Sequence, residues 1–322
     1  MKKLILGLLL VALIIAGIVV LMGRSQDQNQ VKQIEHQINY AQIKVFDPVY
    51  IALDKGYFKD EGVTVNLKGE TFGGPQALMA TASGDVDAGI AATTAIINAK
   101  ASGIKVKGIL DVQTAFEDSP LMKWYALEDS KIINAIDLKE KKIGVNTLGA
   151  SFHYTTIEYL KKHNISSSDV EFVVIPHGNL EQALRAKQID VAGMIDPFNE
   201  IAYDRGGLRV LFTAYDVLGV NQFSLIFMSE NKINSDPEAV FRFTKAYKKA
   251  VQFIENNPEQ SANIIANVFK VDKKYIPRHE FQPSATVNKD DLRFWLEFMR
   301  AQNVKDLDAL ISEEIGTNEF NQ

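Results

Sequence analysis

The sequence predicts an α/β chain of two lobes, each a mostly parallel sheet flanked by helices. Three observations predict it. Short β-type runs alternate with helical runs of about ten residues, the pattern of βαβ units. Gln76-Ala77-Leu78 leading into Gly84-Asp85-Val86-Asp87-Ala88-Gly89 is echoed by Gln182-Ala183-Leu184 leading into Gln188-Ile189-Asp190-Val191-Ala192-Gly193. The composition is that of a folded protein: 322 residues, 46% hydrophobic and 23% charged, with 20 Gly and 9 Pro, which excludes wholesale disorder and collagen-like repeats.

The elements follow in order. Residues 38–46 read as a strand and 48–61 as one helix ending near Gly62. Strands over 63–67, 86–90 and 106–112 alternate with helices over 75–83 and 93–101, the last stopped by Gly103. The second block keeps the rhythm, with strands at 142–146, 170–175, 189–195 and 208–213 and helices at 151–163, 180–186 and 198–205. Right-handed crossovers place helices on both faces of each sheet. Beyond Thr213 come a strand over 221–229 and helices over 236–256, 258–269 and 289–302. Ser235-Asp236-Pro237-Glu238 is a strong helix start, with a polar cap, Pro and an acid in the first turn.

Ahead of this, Lys2 and Lys3 precede an uncharged apolar run from Leu4 to Met22. As a helix it measures about 28 Å, close to the hydrocarbon thickness of a bilayer. It reads as an uncleaved membrane anchor or a removed signal segment, with the two lysines favouring a cytoplasmic N-terminus. The expected organisation is therefore anchor or signal at 1–23, polar tether at 24–37, lobe 1 from 38–115 plus 220–322, and lobe 2 from 116–219. Hinges are expected at 112–120 and 214–223.

Composition narrows the function. With no Cys, the chain has no thiol nucleophile, thiolate metal site or disulfide. A formal net charge of −5 without a basic stripe argues against nucleic acid as partner. His36, His163, His177 and His279 form no metal spacing, so neither a metal nor a catalytic set is expected.

Three helix starts directly follow strands and carry small residues: Gly73-Gly74-Pro75, Ala91-Ala92-Thr93-Thr94, and Gly149-Ala150-Ser151-Phe152-His153-Tyr154. Thr93 and Ser151 are expected as caps. Free amide groups and the positive end of the helix dipole let such termini hold a small anion without Lys or Arg. His153, beside Tyr154, is expected to donate to an anionic oxygen. Asp47 and Asp196 follow strand ends and face the same region, each also readable as a helix cap. Phe46, Phe72, Phe116, Phe152 and Phe198 offer pocket walls.

Pro48-Val49-Tyr50-Ile51-Ala52-Leu53-Asp54-Lys55-Gly56-Tyr57-Phe58 resembles the opening of solute-binding proteins of the nitrate/sulfonate/taurine (NMT1/THI5-like) class of ABC importers. Gly84-Asp85-Val86-Asp87-Ala88, Lys141-Lys142-Ile143-Gly144-Val145 and Asp196-Pro197-Phe198 fall where that family has matching motifs. The resemblance implies the type II periplasmic-binding-protein fold, with a solute in the interlobe cleft and hinge closure around it. It places ligand contacts on the loops of Phe46, Asp47, Gly74, Thr93, Ser151, His153, Tyr154 and Asp196. Ile195 stands where the family often has Trp. The implied function is non-enzymatic: a cofactor-free, monomeric extracytoplasmic receptor delivers a sulfonate-, taurine- or nitrate-like anion or zwitterion to permease and ATPase subunits. The alternatives are a binder of a pyrimidine-type thiamine precursor, or an enzyme or sensor on the same fold.

Overall fold

The computed structural model describes residues 35–71, 73–278 and 280–321. The apolar run at 4–22, and with it the expected anchor or signal, lies outside the described residues, as does Phe72. Met1–Glu35 and His36–Gln322 are separate units, and the second holds the fold. Among the described residues, no helix is long and apolar enough to cross a membrane.

Ten strands form two five-stranded sheets. The first has the order β2-β1-β3-β10-β4 and the second β7-β6-β8-β5-β9. The first is built from β1 (His36–Gln42), β2 (Val63–Glu70), β3 (Ala88–Ala92), β4 (Val106–Ala115) and β10 (Asn221–Ser229). The second is built from β5 (Met122–Leu127), β6 (Lys142–Val145), β7 (Glu171–Val174), β8 (Val191–Ile195) and β9 (Leu208–Thr213). The two orders match position for position: in each, one strand (β10 or β5) runs antiparallel to both neighbours. The echo between 76–89 and 182–193 is therefore topological, since each copy ends in the strand that lies between the central parallel strand (β1 or β6) and the antiparallel strand of its sheet.

Helices α1 (Pro48–Asp54), α2 (Tyr57–Asp60), α3 (Gly74–Ala82) and α4 (Thr93–Ala101) belong with the first sheet. Helices α5 (Ser151–Lys162), α6 (His177–Arg185), α7 (Phe198–Asp204) and α8 (Ala214–Leu218) follow strands of the second. The remainder are α9 (Glu230–Ser235), α10 (Pro237–Asn256), α11 (Pro258–Phe269), α12 (Lys289–Ala301) and α13 (Ser312–Ile315). One face of the first sheet buries Ile38, Tyr40 and Ile226 against α1, α10 and α11, where Phe243, Tyr247 and Ile265 are fully buried. The other face meets α3, α4 and α12 through Leu78, Ile96 and Trp295.

The expected single helix over 48–61 is two, because Gly56 takes φ +74° and restarts the chain at Tyr57. That left-handed conformation is one only glycine adopts without strain. Strand β5 escaped the sequence reading. Trp124, Tyr125 and Ala126 are all buried in succession, so it lacks the alternation that marks a half-exposed strand. The chain passes from the first sheet to the second through residues 116–121 and returns through Gly219 and Val220.

Candidate functional site

Parallel strands put their carboxyl ends on one edge, and ligands of open α/β sheets bind outside that edge where the strand order reverses. In the first sheet the order reverses between β1 and β3, and in the second between β6 and β8. The loops leaving these four strands carry Phe46 and Asp47, Thr93, Asn146 to Ser151, and Asp196 to Asn199. The two edges meet. Asn98 Nδ2 of α4 donates to Gly149 O at 3.2 Å, and the Tyr154 ring stands edge-on to Phe298 of α12 at 5.7 Å.

Five helices starting at these edges, α3, α4, α5, α6 and α7, have Gly73, Ala92, Ala150, Pro176 and Pro197 in the capping position and no side-chain cap. By contrast α1, α9, α10 and α12 are capped by Asp47, Ser229, Asp236 and Asn288. (α11, away from the edges, also lacks a side-chain cap.) Thr93 and Ser151 are thus not the caps that the sequence suggested: each lies one residue inside its helix. Their displacement leaves terminal amides of α4 and α5 without a side-chain acceptor.

The individual residues divide by role. Asp47 is fully buried, accepting from Val49 N–H at 2.9 Å and Tyr40 O–H at 2.8 Å. Burial lifts its carboxyl to about 7 against those two hydrogen bonds. Phe46 packs on Phe281 at 5.4 Å. Thr93 Oγ1 donates to Gln222 O at 3.2 Å, tying α4 to β10. His153 Nδ1 accepts from Gly149 N–H at 3.1 Å, and its ring meets Phe172 at 4.6 Å. This atom therefore holds the 149–151 turn rather than donating outward, and burial lowers the ring's pKa. Tyr154 bonds Asn98 at the meeting of the two edges.

Asp196 is 8% exposed, and its carboxyl is raised to about 7, first by burial and then by the charge of Glu200, with Lys123 pulling the other way. Lys123 is committed to Glu200 at 2.8 Å.

Gly74 is where a side chain cannot be placed. A Cβ there would stand 2.7 Å from both Ala91 Cα and Ala91 Cβ at the end of β3. Gly74→Val should push α3 off the strand end and cost about 1–3 kcal/mol, measurable by urea unfolding. An unchanged midpoint would show that the helix start can shift freely.

Sequence reading did not foresee that Thr94 Oγ1, Asn146 Oδ1 and His177 Nδ1 are, like Ser151 Oγ, enclosed at these edges without a partner. Three of the four follow strands of the second sheet. His177 opens α6 with its ring 5.4 Å from Phe152 and 6.2 Å from Phe198, and burial drops its pKa to about 4. The signal for it was position alone, the first helical residue after β7. Histidine spacing, which tests for metals, could not find it. Among the described residues, no group of three or more metal-ligating side chains is placed to hold an ion.

The family described as NMT1/THI5 like matches residues 44–261. A binding protein of Brucella abortus (strain 2308) is 31% identical over 225 residues, 69% of this chain and 67% of that protein. The 4-amino-5-hydroxymethyl-2-methylpyrimidine phosphate synthase of Candida albicans (strain WO-1) is 26% identical over 242 residues, 71% of this chain and 69% of that protein. Among solved structures, the alkanesulfonate-binding protein SsuA of Xanthomonas axonopodis pv. citri, bound to MOPS, aligns with a TM-score of 0.74 at 18% identity. The alignment covers 87% of this chain and 98% of SsuA, and it shows the two-sheet fold of periplasmic binding proteins.

Proposed function

The chain belongs to the NMT1/THI5-like family, and from that premise we propose that it is the extracytoplasmic solute-binding subunit of an ABC importer. It takes a small anionic or zwitterionic solute between the two sheet edges and presents it to the permease, with no reaction of its own. In this reading residues 38–115 and 220–322 form one lobe and 116–219 the other, bending at the two crossings. The chain acts as a monomer, held at the membrane or released according to the fate of residues 1–23.

The observation that carries the reading is the set of five helix starts without side-chain caps at the strand ends of both sheets, beside the two switch points. Amide groups at such ends stabilise negative charge without the desolvation cost of burying Lys or Arg. Phe46, Gly74, Thr93, Ser151, Tyr154 and Asp196 line or shape that space, while Asp47 and His153 hold its loops in position. The sulfonate-binding neighbour shares the fold, and its name agrees with an anion at these ends.

A second reading, a carrier of a pyrimidine precursor, is favoured by the Phe152–His177–Phe198 rings and by the Candida albicans relative. Thermal shift of the full chain with sulfonates, nitrate and pyrimidines separates the two. A guest at 100 times its Kd adds about 2.7 kcal/mol. Ser151→Ala should weaken that guest about fivefold, the value of one hydrogen bond near 1 kcal/mol. Full affinity in the variant, by calorimetry, would remove α5 from the site.

A further inference from the structure

The crevice wall contributed by the second sheet is not built for an oxyanion alone. Ser151 is 7% exposed and its Oγ is enclosed without a partner, so its hydroxyl can donate to a guest. Asn146 Oδ1, by contrast, can only accept.

Asn146 follows β6 and His177 follows β7, and these strand ends are bonded side by side through Ile175 N–H to Val145 O at 2.9 Å. His177 Nδ1 is the third enclosed atom, at the first residue of a nine-residue helix. Charge points the same way. Asp196 and Glu200 stand on this wall, and Lys123 is paired with Glu200. An acceptor-only guest such as nitrate or a plain alkanesulfonate would leave Asn146 Oδ1 unsatisfied. It would also sit beside the buried carboxyl of Asp196.

We propose that the guest carries an N–H donor as well as an acceptor, and that Asn146 and His177 read the donor while Ser151 holds the acceptor. This rests on the crevice being the binding site. The same chemistry is offered by an amino acid-like zwitterion or by an amino-substituted ring, and matched probes distinguish them. Taurine differs from ethanesulfonate by the amine, and 4-amino-2-methylpyrimidine differs from 2,4-dimethylpyrimidine by amino in place of methyl.

Calorimetry on the full chain should show the amine-bearing member of one pair binding about tenfold or more tighter than its partner, a difference of about 1.4 kcal/mol. His177→Phe keeps a ring between Phe152 and Phe198, and Asn146→Ala removes the acceptor. At least one of them should bring the paired probes to near equality, with the melting temperature of each variant recorded alongside. Persistence of the full preference in both variants overturns the assignment.

So does equal binding within both pairs. If that binding still weakens in Ser151→Ala, the crevice stands as the site and only the donor rule fails. If the probes bind and Ser151→Ala changes nothing, the crevice reading itself fails. Silence from both amine-bearing probes at about 10 mM, where even a millimolar Kd registers, also overturns the inference.

Discussion

Trp124→Ala should destabilise the protein by about 3–5 kcal/mol, the range for emptying a buried aromatic site. Trp124 is fully buried in β5, stacked on Phe212 at 4.6 Å and set against Phe152 at 5.3 Å. Its Nε1 donates to Thr156 Oγ1 at 2.9 Å, and that hydroxyl donates to Phe152 O at 2.7 Å. Truncation therefore opens a cavity and also strips a donor from the first turns of α5. Gly193 shows how closely this ring is fitted: a Cβ there would lie 2.7 Å from Phe152 Cδ1 and 3.0 Å from Trp124 Nε1. Urea unfolding measures the loss, and Trp124→Phe should lose roughly half as much because most of the stacking survives. A cost below about 1 kcal/mol for the alanine variant would mean that the second sheet's core repacks, against the close packing expected of interiors.

Stability should rise as the pH is lowered from about 7.5 to about 6.5 and keep rising below that, by the balance of three carboxyls over two imidazoles. Asp47, Asp111 and Asp196 are buried, and burial raises each carboxyl to about 7 from an ordinary 3.8. Between those values the folded chain keeps protons that the unfolded chain has shed, so raising the pH favours unfolding. The slope is up to about 1.4 kcal/mol per pH unit for each group.

The imidazoles act in the opposite sense. His177 falls to about 4 from 6.5, and His153 is also lowered. Below 6.5 the unfolded chain takes up protons that the folded chain refuses, and this offsets much of the carboxyl gain. Three carboxyls against two imidazoles leave a net of about one proton below 6.5. Urea midpoints taken across the range test this, and Asp47→Asn should flatten the upper limb by about half a proton. A midpoint that stays level or falls between pH 7.5 and 6.5 would contradict it.

The strands and helices were legible where local chemistry and tertiary environment agree. Strand β9 over Leu208–Thr213 and helix α11 over Pro258–Phe269 have their expected bounds, the latter begun by a Pro that fits its first turn. The sequence was opaque where burial on both faces erased periodicity, as in β5, and where a single positive φ split a helix, at Gly56. The candidate site was legible as loops and not as atoms. Ser151 sits at the junction of the edges, but His153 turns its Nδ1 inward to Gly149. His177 was invisible because nothing local marks an imidazole as unsatisfied. That property belongs to the packed edge, where three strand ends bring Phe152, His177 and Phe198 together.

On the α11 side of the first sheet, the carboxylate of Asp204 in α7 accepts from Lys274 Nζ at 2.8 Å and from Tyr275 O–H at 2.9 Å. On the α12 side, the clasp is Asn98 on Gly149 and Tyr154 on Phe298. The first clasp is half exposed and ionic, so dissolved salt shields it, whereas the second is amide and ring and feels salt little. Raised salt therefore weakens the contact on the α11 side and leaves the one on the α12 side almost untouched.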